Sequence, residues 1–162
     1  MKTELYNELN LYIEKRYKPE PQVEYMRAAK CAYFSEELAD HECSIAIKEI
    51  KDTFSEHLLK LIDKKNLSDP DVYKKAGVDR KLFSKIRTDK FYTPSKRTAI
   101  ALAIALKLNL DETNELLEKA GYVLSQSSKF DLIIEFFIIN DKHDIFEINE
   151  ALYYYKEPLL KD

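Results

Sequence analysis

Apolar residues recur along this chain at the spacing of helices. Leu5, Leu9, Tyr12 and Ile13 form one stripe over residues 3–17, an amphipathic helix that Thr3 can cap and that must pack on something. Lys18-Pro19-Glu20-Pro21 ends it, because each Pro removes a backbone donor and biases the residue before it away from helical backbone. Val23, Tyr25, Met26, Ala29, Tyr33, Phe34 and Leu38 predict a second helix over 22–39. Its apolar surface is broad enough to need a cover, either the rest of the chain or a second copy. Residues 42–64 carry Ile45, Ile47, Ile50, Phe54, Leu58, Leu61 and Ile62. They read as one long helix, or as two if Thr53 and Glu56, which have capping-box spacing, start a fresh one.

The next stretch is more tightly punctuated. Ser68 and Pro70 open a short helix over 70–76, and Gly77, free to take positive φ, can close it. Val78 then plugs into the core and Asp79 caps a helix over 80–88. Phe83 and Ile86 fall on its inner face, which leaves Arg80, Lys81, Ser84, Lys85 and Arg87 outside. A loop with Phe91 and Tyr92 follows. These aromatics, interleaved with Lys90 and Lys96, either touch a sugar-phosphate backbone or, as loop aromatics more often do, fold back on the core. Pro94-Ser95 opens a helix over 96–108 whose Ala99, Ile100, Leu102, Ala103, Ile104, Ala105 and Leu106 are apolar almost all round, so it belongs at the centre. Leu110-Asp111-Glu112 caps a helix over 112–120 with Leu116 and Leu117 inward, and Gly121 ends it. Period alone leaves 130–139 open between strand and helix; a lone strand would have no partner, so helix is expected. Asp144 and Glu147 form the pattern of a capping box for a last helix over 144–155, rich in aromatics.

The fold expected is an all-α helical bundle of seven to nine helices, divided into an N-terminal helical appendage at 1–52, a core at 53–120 and a C-terminal helical extension at 121–162. Two Gly, five Pro and no Trp, with 34% charged and 45% hydrophobic residues, agree with a nearly all-helical chain large enough for a real core. No run of about 18 apolar residues could span a bilayer, and residues 1–17 are charged throughout, unlike a signal peptide. Cys31 and Cys43 suit a reducing cytoplasm where neither must pair. Charge is unevenly placed. Residues 72–97 hold six Lys, three Arg and two Asp, a net of +7 in a chain of net −3, so the remainder carries −10. Any nucleic-acid binding must come from that patch.

Catalytic constellations are poor. His41-Glu42-Cys43 is a tempting trio, but adjacent helical residues point in different directions and no second His or Cys cluster completes a metal shell. His57 lies beside core positions and His143 in a turn. With no Gly-rich phosphate loop either, no catalytic residue, metal ligand or cofactor site is assigned, and an enzyme is not expected.

Two short helices joined through a Gly turn, the second bearing side chains that can reach base edges, are what a helix-turn-helix requires. The segments Gly77-Val78-Asp79 and Phe83-Ser84-Lys85-Ile86, then Pro94 and the Ala/Leu-rich 99–106, resemble the Cro/C1-type (lambda-repressor-like) helix-turn-helix family over roughly residues 54–117. The resemblance implies a Cro/C1-like core whose helix 80–88 lies in the major groove of double-stranded DNA. It places Arg80, Lys81 and Lys85 toward bases and Lys90, Lys96 and Arg97 near phosphates. It also implies a bacterial or phage transcriptional regulator, with a homodimer through the N- or C-terminal helices or a monomer that folds them back. The chain departs from the family pattern at Asp69, where a polar amide usually holds a phosphate. It departs again at Tyr73, where a small residue lets the helices cross closely; either the crossing is more open or Tyr73 points elsewhere. Those departures favour the alternative, an adaptor that keeps the fold and holds a protein partner. RNA binding ranks lower, since no RNA-module signature is present. Residues 53–162 also resemble a C-terminal module of uncharacterised bacterial proteins, in some joined to ADP-ribose-binding macro domains, which implies no activity.

Overall fold

A computed structural model describes residues 2–19 and 52–160. Among them are eight helices and no strand: α1 (Lys2–Arg16), α2 (Phe54–Lys64), α3 (Asp69–Ala76), α4 (Arg80–Thr88), α5 (Lys96–Ala105), α6 (Leu110–Lys119), α7 (Lys129–Ile139) and α8 (Ile145–Tyr154). The all-α bundle is the observed fold class. The helix over 22–39, the first part of 42–64, Cys31, Cys43 and the His41-Glu42-Cys43 trio lie outside the described residues. No helix among the described residues is long and apolar enough to cross a membrane.

Side-chain caps set the helix ends. Thr53 and Glu56 form both bonds of a capping box at α2. Since Asp52 and Thr53 are not helical, one unbroken helix over 42–64 is excluded. Asn66, at φ 51°, turns the chain out of α2, and Ser68 caps α3 by accepting from the Asp71 N–H. Ser128 caps α7, so the 130–139 segment is helix as expected.

Four local expectations need correction. Thr3 sits inside α1 and not at its cap. The helix predicted over 96–108 stops at Ala105, because Lys107 takes φ 50° and the Leu108 N–H turns back to the Ala103 carbonyl at 3.1 Å. Leu108 is still fully buried, so the apolar run outlasts the helix. The cap of α6 is Asn109, in a capping box with Glu112, which lets α6 begin at Leu110. Asp144 does cap α8 through the Phe146 N–H, but the Glu147 carboxylate pairs with Lys142 at 3.0 Å.

The centre is α5. Every residue from Ala99 to Leu106 is buried, and α3, α6 and α8 pack around it. A helix apolar on all sides has no face to give to water, so it must be surrounded. Leu9 and Ile13 bring α1 into the same core, laid along α7. Arg16 pairs with Glu135 at 2.8 Å, and the Lys18 N–H donates to the Gln126 carbonyl at 3.1 Å. Near the middle of α1 the Tyr155 hydroxyl bonds Asn10, and closer to its start the Tyr6 ring lies 5.2 Å from that of Tyr154. The first helix is thus held by the last two.

Candidate functional site

The surface to consider is built by α3, the turn at Gly77 and α4. Gly77 has φ 63°, and its N–H and that of Val78 close the end of α3 on the Lys74 and Tyr73 carbonyls. A residue with a Cβ would be strained there. Asp79 accepts from the Lys81 N–H and so fixes where α4 starts. Phe83 and Ile86, 3% and 0% exposed, anchor α4 in the core. That anchoring decides the opposite face: Arg80, Lys81, Ser84, Lys85 and Arg87 all lie exposed on it.

Exposure is shared by these residues, but availability is not. No acidic side chain among the described residues pairs with Arg80, Lys81 or Lys85. Arg87 instead donates to Asp69 Oδ2 at 2.5 Å, across the α3–α4 angle. Asp69 therefore occupies the guanidinium of the helix that would face a phosphate.

Tyr73 does not point elsewhere. It is half-buried between the helices, its ring centroid 5.8 Å from that of Phe83. A groove of about 450 Å³ lies beside it, bordered by Asp69, Tyr73, Arg80 and Arg87.

Beyond α4 the basic residues are drawn into the fold. Lys90 Nζ lies 2.8 Å from Glu56 and over the Phe91 ring; Lys90, and then the Thr53 backbone N–H, holds the Glu56 carboxyl below its ordinary range. Lys96, expected at a phosphate, donates to Asp131 Oδ2 at 2.6 Å. Asp131 is 1% exposed. Such an acid needs a counter-charge, and α5 supplies it; the Ser125 N–H adds a second bond at 2.9 Å. Arg97, also expected at a phosphate, donates to the Leu159 carbonyl at 3.2 Å, close to the end of α8's following segment. Of the loop aromatics, Tyr92 folds half into the protein while Phe91 stays 78% exposed.

The sequence did not announce these three pairings. Asp131 left one clue, an acid inside an otherwise apolar run, which burial obliges to find a cation. Nothing comparable marked Asp69 for Arg87 or Glu56 for Lys90. No family model, curated protein or solved structure matches the chain. The geometry of α3 and α4 therefore carries the functional argument.

Proposed function

We propose that this protein binds double-stranded DNA sequence-specifically, as a bacterial or phage transcriptional regulator, with α3 and α4 acting as a helix-turn-helix and α4 entering the major groove. One observation carries the reading. Arg80, Lys81, Ser84 and Lys85 share an exposed helical face anchored from behind by Phe83 and Ile86, and its three cations lack any internal acidic partner among the described residues. Cations that the fold leaves unneutralised on a rigid helix favour a polyanion. Arg80 and Lys81, at the start of the helix, are the base readers, since residues near the N-terminus of such a helix reach base edges. Lys85 and Ser84 follow along the groove. Lys96 and Arg97 drop out of the contact set, and Lys90 reaches a phosphate only by leaving Glu56.

The test is selection from random-sequence duplexes at two salt concentrations. Enrichment of a palindrome, with affinity falling as salt rises, supports a dimeric reader. Arg80→Ala with Lys81→Ala should weaken that complex by at least tenfold, given about 1–3 kcal/mol for each good base contact. Because both residues are exposed, the melting temperature should hardly move. Folded protein that enriches no site, or a double variant that binds like the native chain, would overturn the proposal.

A second reading draws on α8, where Phe146, Tyr153 and Tyr154 are 83%, 78% and 62% exposed. Aromatics left in water at that level suit the protein-adaptor alternative. Under it Tyr153→Ala weakens partner capture and the Arg80/Lys81 pair of substitutions does not.

A further inference from the structure

We propose that a cleft formed by the end of α3, the end of α5 and the start of α8 binds a small aromatic anion, a planar ring carrying a phosphate or a carboxylate, as a mononucleotide does. The cleft holds about 700 Å³, within the roughly 300–1,000 Å³ of small-molecule sites. It lies away from the exposed face of α4, and the proposal stands whether or not that face binds DNA.

The chemistry follows from what lines it. Ile104, Ala105 and Ile145 give an apolar floor, and beside it Phe146 stands 83% exposed. A phenyl ring kept in water at the mouth of a cleft offers a stacking face, and a second ring laid on it removes apolar surface of both. Around the same opening stand Lys74 and Lys75 from α3 and Lys107 from the turn after α5. None of the three has an acidic partner among the described residues.

Two acids share the rim. Asp144 accepts from the Phe146 N–H at 2.9 Å as the cap of α8. Asp141 lies 3.4 Å from Nδ1 of His143, whose Nε2 is 3.1 Å from the Leu108 carbonyl. The three lysines outnumber the two carboxylates around the opening. A neutral ring would leave the lysines unused, and a bare phosphate would leave Phe146 and the floor unused. A ligand that joins the two features uses both.

The experiment is titration of the full-length, nitrogen-15-labelled protein, followed by amide chemical shifts. The probes are adenosine monophosphate and indole-3-acetate, with adenosine and inorganic phosphate as controls that carry one feature each. At millimolar concentration at least one of the two anions should shift the amides of Gly77, Lys107 and Phe146 together. Response to the nucleotide alone identifies a phosphate ligand, and response to indole-3-acetate alone a carboxylate. Each control should bind at least about tenfold more weakly than the anion. Lys75→Ala with Lys107→Ala should weaken binding about tenfold, as loss of charge-assisted contacts does. Phe146→Ala should weaken it about fivefold or more through lost stacking. All three positions are at the surface, so unchanged melting temperatures will show that the variants are folded. Absence of clustered shifts with both anions, binding of phosphate alone as tight as the full ligand, or full affinity in both variants would each overturn the assignment.

Discussion

Residues 80–87 and residues 90–97 hold four and three basic side chains respectively, and the fold treats the two groups differently. In the first, Arg80, Lys81 and Lys85 stand exposed with no acidic partner among the described residues, and only Arg87 is paired. In the second, Lys90 meets Glu56, Lys96 meets Asp131 and Arg97 reaches the Leu159 carbonyl. Sequence charge counts cations, whereas a binding surface consists of those the fold does not use itself. The contrast narrows a basic stretch of about two dozen residues to one face of α4.

The strongest way to break this comparison is Lys96→Ala. It leaves Asp131, 1% exposed, without its cation, and breaking one side of a buried pair costs about 3–5 kcal/mol. Lys96 is itself 29% exposed, so the lower end is expected, about 3 kcal/mol by denaturant unfolding. The Arg80/Lys81 double variant should stay within roughly 0.5 kcal/mol of the native chain, as surface changes do. A Lys96 variant as stable as that one would show that Lys96 belongs with the exposed group.

Asp69→Asn sharpens the comparison inside the first group. It removes the acid that holds Arg87 and puts a neutral amide beside the phosphate expected there. Stability should change by less than about 1 kcal/mol, because the pair is solvent-exposed. DNA affinity should rise about threefold to fivefold, most at low salt, where screening is weakest. Unchanged or weaker binding would mean that Arg87 is not a cation held in reserve.

The smallest effect is expected at Glu56. Its folded-state carboxyl is lowered by Lys90 and then by the Thr53 N–H, so its stabilisation is present above the ordinary carboxylate range. It is lost as pH falls through the lowered value. The difference in melting temperature between native protein and Glu56→Gln should be full near pH 7, shrink as pH falls below the ordinary glutamate region at about pH 4, and vanish only below the lowered value. A difference that persists in acid would assign the effect to the cap geometry and not to the charge of Lys90.

The helices and most of their ends were legible because they are local. Thr53 with Glu56, Ser68, Gly77, Asp79 and Gly121 each act within a few residues, and each sits where the spacing put it. The 96–108 helix was read too long because Leu106 and Leu108 continue an apolar pattern that burial alone explains. Asn109 was overlooked for the acids just after it. The candidate face of α4 could be read from the inward spacing of Phe83 and Ile86. Which of its neighbours stay available could not, since that depends on partners 18, 34 or 35 residues away in sequence, as for Asp69 with Arg87, Glu56 with Lys90, and Lys96 with Asp131. Tyr73 shows the same limit: its bulk was visible, and the groove it borders was not.

The docking of α1 on α7 sets a timetable for the chain as it is made. Arg16 and Glu135 are 119 residues apart, so α1 leaves the ribosome long before its partner exists. At about 5–20 residues per second, the wait is on the order of ten seconds. During that interval Leu9 and Ile13 have no α7 to cover them, and a chaperone that holds nascent apolar segments meets α1 before the other described helices. Of the described helices the one made earliest is among the last to be seated, and closing the bundle brings residues 2–16 against residues 129–139.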